Sequence, residues 1–217
     1  MINRGPEEKS KRPSAAEIGA EGSNTKSRPG GRSARVRKAV LEQSYRLLTE
    51  KGLSGFSIAE VAARSEINET SIYRRWKTKT GLIMDVCLSV ADEVLFIPDT
   101  GNLKSDLLEF ANRLVSLLRS PQGTVFISVN QATEAEYVQM RRQFWRLRLE
   151  RMSVVVTRAI ERHELPEDTK PLQFIETLIA PIWFRELVSM EPIEEWPLEE
   201  FIDRQLMVAT KKKPTRF

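Results

Sequence analysis

Along most of this chain apolar residues recur at the three- and four-residue spacings of helices that bury one face. Val36, Val40 and Leu47, with Leu41 and Leu48 beside them, predict a helix from about Ser33 to Lys51 that stops at Gly52. Ile58, Val61 and Ala62 predict a short second helix, opened by Ser57 with Glu60 three residues on in capping-box spacing. Asn68 is a good N-cap for a third, in which Ile72 and Trp76 share the inward face. Leu82, Val86, Val90 and Val94 carry a helix over 80–96, and Leu103, Leu107, Phe110, Leu114 and Leu117 another over 103–119. Further helices are predicted over 122–132, 134–163, 171–190 and 197–210. The breaks fall at Pro98-Asp99-Thr100-Gly101, Ser120-Pro121, Leu165-Pro166 and Glu191-Pro192. Strand alternation is absent. The fold class is therefore all-α: an N-terminal three-helix helix-turn-helix domain joined to a larger C-terminal helical bundle, about nine helices in total.

Composition divides the chain further. Residues 1–32 hold Gly, Pro, Ser and charge with almost no large apolar side chains, and read as a disordered basic N-terminal arm. The helix-turn-helix domain spans 33–79, the larger bundle 80–210, and a basic tail 211–217. Residues 1–94 carry 17 Lys/Arg against 12 Asp/Glu, whereas 95–210 carry 13 against 18. A basic front and an acidic rear point to a polyanion partner for the front only. The single cysteine, Cys87, excludes an intrachain disulfide framework. With no apolar run long enough to span a bilayer and no signal-peptide core, the expected setting is soluble and cytoplasmic.

The third helix carries the chemistry. Away from Ile72 and Trp76 it shows Ser71, Arg74, Arg75 and Thr78, with Thr70 and Tyr73 flanking. Hydroxyls, a phenol and two arginines are what a helix laid in a DNA major groove needs. Plain core packing is the simplest reading of both Tyr73 and Trp76, and for Trp76 it is the one adopted. Arg28 and Arg32, in the run Arg28-Pro29-Gly30-Gly31-Arg32, fit a minor-groove arm as well as they fit a solvated tail.

These residues resemble a known family. Ser33–Gly52, Phe56-Ser57-Ile58-Ala59-Glu60-Val61-Ala62, Ser71-Ile72-Tyr73-Arg74-Arg75-Trp76 and Lys79-Thr80-Gly81-Leu82 are similar to the TetR family of bacterial transcriptional regulators. The resemblance implies a double-stranded DNA operator as partner. Ser57, Ser71, Tyr73, Lys79 and Arg35 would meet phosphates, and Glu69, Thr70, Arg74 and Arg75 would face base edges, with Asn68 at the start of the reading helix. Arg is the strongest base reader, because its fork matches guanine, worth roughly 1–3 kcal/mol per bidentate pair. Arg74 and Arg75 are not separable from sequence. Glu66 departs from the family pattern by standing where Gly is usual, at a turn position of positive φ, and Ser57 by replacing Thr.

The resemblance also assigns 80–210 to ligand binding and dimerisation. The helix over 171–190 is apolar on more than one face, with Pro181 expected to kink it. Ile175, Ile179, Ile182 and Trp183 are candidates for a homodimer interface, the other reading being an intramolecular core helix. Phe126, Met140, Phe144 and Trp145, with Gln139 and Met152, are candidates for the wall of a small-molecule effector pocket, the other reading again being core. Arg141, Arg142, Arg146, Arg148 and Arg151 form a dense group, read as a solvated face or as an attraction for an anionic effector. The function expected is a sequence-specific DNA-binding regulator, a repressor by family habit, released by an effector. An effector-independent or architectural DNA-binding protein is the alternative. Catalysis has little to stand on: one histidine, His163, no phosphate-cradling loop, and no metal-spaced Cys/His cluster, so no cofactor or metal is expected. Cys87 reads either as a redox sensor or as a buried, inert thiol.

Overall fold

The computed structural model describes residues 31–192 and 196–211, and among them every regular element is helical. In chain order these are α1 (Arg32–Gly55), α2 (Ile58–Ser65), α3 (Glu69–Trp76), α4 (Lys79–Val94), α5 (Leu103–Arg119), α6 (Pro121–Gln131), α7 (Ala135–Met152), α8 (Val154–Glu161), α9 (Pro171–Phe184) and α10 (Leu198–Thr210). The all-α architecture expected from the periodicity is the one observed.

Local chemistry explains the boundaries. Gly52, at φ 66°, breaks the helical path inside α1 where a side chain would be strained. The Ser57 hydroxyl accepts the Glu60 N–H at 3.2 Å, and Asn68 Oδ1 accepts the Thr70 N–H at 2.8 Å. Thr78 and Asn102 cap α4 and α5 in the same way, at 2.9 and 3.0 Å. Only half of the expected capping box at Ser57 forms. The Glu60 carboxylate turns to Lys51 and Arg64 instead, both cations outcompeting a single backbone N–H. Glu66 closes α2 at φ 56°, so the left-handed turn is kept without glycine.

Ile72 and Trp76 are buried with Val40, Leu47, Phe56, Ile58, Val61 and Leu82, forming the core of the N-terminal unit. This unit rests on the larger bundle through α1 on α6 and α4 on α7. The corner between α3 and α4 is tight. Lys77 takes φ 64°, and the Thr78 N–H donates to the Trp76 carbonyl at 2.7 Å. A Cβ at Gly81 would collide with that same carbonyl oxygen, so only hydrogen fits there.

Several expectations need correction. The helix expected over 134–163 is bent into α7 and α8 at Ser153, whose hydroxyl donates back to the Glu150 carbonyl at 2.8 Å. The helix expected over 171–190 keeps α-geometry to Phe184 and continues as a π-helical turn, Arg185–Ser189. Ile175, Ile179 and Ile182, expected at a dimer interface, are buried inside the chain itself, and Trp183 is half-buried against Trp145. The apolar side chains that face outward are Leu172 at the start of α9, Phe184, Val188 and Met190 at and beyond its end, and Met207 and Val208 on α10. Arg32 is the first residue of α1 and not part of an arm, while Arg28 lies outside the described residues, as do 212–217 of the tail.

Replacing Gly81 with Ala is expected to destabilise the chain by about 1–3 kcal/mol through forced displacement of the α3–α4 corner. Urea unfolding of the two proteins checks it, an unchanged midpoint being the contrary result.

Candidate nucleic-acid interface

The turn between α2 and α3 fixes where the short α3 can point. With Ile72 fully buried and Trp76 nearly so, the rest of this two-turn helix must face outward. Glu69, Thr70, Tyr73 and Arg74 are exposed, and Ser71 is half-buried beside them. The Tyr73 hydroxyl and the Arg74 guanidinium have no hydrogen-bond partner among the described residues, so both are free to meet a ligand.

The two arginines that sequence leaves equivalent differ in the fold. Arg75 donates to the Ser33 hydroxyl at 3.0 Å and to the Ser33 carbonyl at 3.2 Å, and its guanidinium lies 5.4 Å from the centre of the Trp76 ring. Arg74 has no such ties. Arg32, Arg74 and Arg75 line one groove between the start of α1 and the α2–α3 turn, together with Asn68 and Ser71. Arg35 is exposed one helical turn further along α1. Ser57 is exposed at the first turn of α2, its oxygen used by the cap but its hydroxyl hydrogen available to an anion. Asn68 likewise spends its side-chain oxygen on capping α3, leaving its amide donors. Lys79 donates to the Leu53 carbonyl at 2.9 Å and sits over Phe56 at 5.8 Å, so its ammonium stitches α4 to the end of α1 with two N–H groups left over.

One carboxylate holds this surface in register. Asp85 on α4 accepts both Arg37 Nε at 3.0 Å and Trp76 Nε1 at 2.8 Å on one oxygen, and Arg37 Nη2 at 2.6 Å on the other. Burial alone would raise the Asp85 pKa, but the hydrogen bonds from Arg37 and Trp76 outweigh it and hold the carboxyl below the usual carboxylate range. Neither Asp85 nor Arg37 is legible as a site residue in the sequence, since their pairing spans 48 positions.

In the larger bundle, Phe126, Phe144 and Trp145 line one apolar cavity with Met152 and Trp183, whereas Met140 and Gln139 face a separate open cleft between α7 and the start of α4. The ring pairs Phe126–Phe144, Phe144–Trp145 and Trp145–Trp183 all meet edge to face, with centroids 5.9, 5.5 and 5.2 Å apart. The arginine group of α7 is not one solvated face. Arg142 and Arg146 are exposed, but Arg141 caps the end of α6 through the carbonyls of Val129, Asn130 and Ala132, and Arg148 is buried. A sequence signal for Arg148 exists: it falls in the four-residue series Met140, Phe144, Met152, the inward stripe of α7. Burial pushes the Cys87 thiol up to about 12, which keeps it protonated and unreactive. His163 takes φ 62° in a Schellman closure of α8, its N–H on the Ile160 carbonyl and the Glu164 N–H on that of Ala159. Among the described residues no group of His, Cys, Asp and Glu is placed to hold a metal, and no helix is long and apolar enough to cross a membrane.

Comparison with known proteins bears on the same two halves. Residues 40–86 match the family model described as bacterial regulatory proteins, tetR family, and residues 97–204 match the tetracyclin repressor-like C-terminal domain. The HTH-type transcriptional regulator AqdR of Rhodococcus erythropolis is 35% identical over 149 residues, covering 68% of this chain and 72% of that protein. The HTH-type transcriptional regulator YdeS of Bacillus subtilis is 30% identical, covering 73% and 81% respectively. The crystal structure of the TetR family transcription regulator SCO0332 superposes with a TM-score of 0.68 at 23% identity, over 83% of this chain and all of that one.

Asp85→Asn is expected to destabilise the chain by about 1.5–3 kcal/mol at neutral pH, the range for hydrogen bonds to a charged group. Because the folded carboxyl titrates below its unfolded value of about 3.9, its contribution is full above that pH and fades as pH falls through the folded value. The gap between wild type and variant should therefore narrow below about pH 4. Urea unfolding at pH 7 and at pH 3 measures it, and a constant gap would overturn the assignment.

Proposed function

Because the chain belongs to the TetR family of bacterial transcriptional regulators, we propose that it binds a palindromic operator as a homodimer, represses transcription there, and leaves on binding a small-molecule effector. DNA-binding regulation is the activity of the family, and its relatives are regulators rather than enzymes. The observation that carries the operator reading is the division of α3 into a buried anchor and an exposed polar face. Arg74 is the base reader, its fork unengaged inside the protein. Tyr73, Ser57, Ser71 and Lys79 grip phosphates, as does Arg35 from α1. Arg75 contributes from the groove wall, released from Ser33 or bound alongside it.

The homodimer is supported by the outward apolar side chains of the α9 end and α10, Phe184, Val188, Met207 and Val208 among them, which no other part of the described chain covers. A two-fold through that face sets two copies of α3 toward half-sites about one DNA turn, roughly 34 Å, apart. An operator occupied in this way excludes competing proteins from the same DNA, which is repression in its simplest form. The apolar cavity of the bundle is the proposed effector site.

Selection of bound DNA from a random pool, followed by a salt titration on the winner, tests the operator reading. A palindrome is expected; weak binding without sequence preference that collapses with salt would oppose it. On that palindrome Arg74→Ala should lose about 1–3 kcal/mol and relax the choice at one base pair. Tyr73→Phe should weaken all sequences alike, and a change in its sequence preference would sink the phosphate assignment. For the homodimer, Phe184→Glu combined with Val188→Glu is expected to halve the sedimenting mass, with helicity by circular dichroism unchanged.

A further inference from the structure

Among the described residues, the buried guanidinium of Arg148 is the one charge in the wall of an otherwise aromatic and aliphatic cavity. Leu95, Phe110, Phe144, Trp145, Met152 and Trp183 surround it there. Arg148 Nη1 donates to Asp92 at 2.9 Å and Nη2 to the Leu95 carbonyl at 3.1 Å. The acceptors stand in the last turn of α4 and at its C-cap, so this side chain joins α7 to the end of the helix that carries Asp85. Burial draws the Arg148 pKa below its ordinary value, with Asp92 opposing, yet a guanidinium stays charged. A second donor lies in the same wall: Trp183 Nε1 is buried and has no partner among the described residues.

We infer that the cavity takes a planar aromatic carboxylate, whose ring replaces the edge-to-face contacts among Phe144, Trp145 and Trp183 and whose carboxylate takes Arg148 from Asp92 and the Leu95 carbonyl. Arg148 trades one carboxylate for another and gives up the Leu95 carbonyl, a main-chain acceptor at the end of α4. The exchange is tolerable for Asp92, which is 48% exposed and also paired with Arg151. The aromatic wall provides area for a flat ring, and Trp183 provides a donor that only an acceptor-bearing ligand can use. The free volume between these side chains is about 20 Å³, room for one water and no more. Entry must therefore part the walls, and the seam between α7 and the end of α4 is the wall that the Arg148 hydrogen bonds close. Ligand binding and release of that end of α4 become one event.

The inference rests on the effector reading above, and its test separates the two. Calorimetric titration of the full chain with 1-naphthoate and with its neutral isostere 1-naphthamide compares binding with and without the charge. Naphthoate should bind more tightly by about 10–100-fold, the equivalent of a charge-assisted pair. Arg148→Met should abolish that preference while keeping the fold, since Met fills a similar volume and Asp92 keeps Arg151. Arg148→Lys, which keeps the charge, should retain part of it. Equal binding of the two probes, binding of neither, or an Arg148→Met protein that still prefers naphthoate overturns the inference. Anisotropy of labelled operator in the same titrations reads the effector function independently. Naphthoate bound through Arg148 without loss of DNA upholds the ligand class and overturns effector release. Release of DNA by naphthamide without any preference for naphthoate does the reverse.

Discussion

Asp85 sits where three helices must agree. Its two oxygens accept Arg37 from α1 and the indole of Trp76 from α3, and its own backbone lies on α4. Without it, a guanidinium and an indole N–H would lose their partners at the junction, each a substantial penalty for a partly buried donor. Apolar packing alone leaves the helices of the N-terminal unit free to slide by fractions of an ångström, because hydrophobic burial has no direction. A bidentate ion pair with a shared indole has direction. It turns a packed cluster of short helices into one rigid reading head whose orientation follows α4.

That rigidity changes how the far end of α4 should be understood. The sixteen residues of α4 run from Lys79, stitched to Leu53, to Val94, and Asp92 and Leu95 at the end are held by Arg148. The helix is thus pinned by polar contacts at both ends and at Asp85 between them, while Ile83, Val86 and Cys87 pack on apolar neighbours. Any ligand that disturbed the contacts at the far end would act on a helix whose Asp85 is tied directionally to Arg37 and Trp76. Two discrete arrangements of a packed interface are the physical form that such coupling takes.

Helix positions and inward faces were legible in the sequence because periodicity and capping are local properties. Val40, Leu47, Val61, Ile72 and Trp76 all lie in the core as their spacing implies. What escaped was anything decided by distant parts of the chain. Pairing across 48 residues leaves no trace in a hydrophobic pattern, so nothing in the sequence singles out Arg37 and Asp85. Arg148 was lost among four neighbouring arginines because density of charge reads as solvent exposure, although its place in the Met140–Phe144–Met152 stripe pointed inward. Ile175, Ile179 and Ile182 show the opposite error. An apolar helix on several faces satisfies either an interface or a core, and only the packing of α7 and α8 against α9 resolves it. Arg74 and Arg75, adjacent and chemically identical, are distinguished by Ser33 and the Trp76 ring beside one of them.

The separation of roles along α3 has an evolutionary consequence. Ile72 and Trp76 hold the helix, and the positive-φ residues Glu66 and Lys77 fix the turns that enter and leave it. Thr70, Tyr73 and Arg74 make no side-chain hydrogen bond to the rest of the described protein. If Thr70 and Arg74 face base edges as proposed, substitutions at those two positions change the sequence chosen without disturbing the fold, and Tyr73 stays on the phosphates. A duplicated copy of this gene could drift to a new target through a handful of neutral-in-stability steps, each intermediate still folded and still able to grip the DNA backbone. Retargeting by design has the same short list of positions to work with.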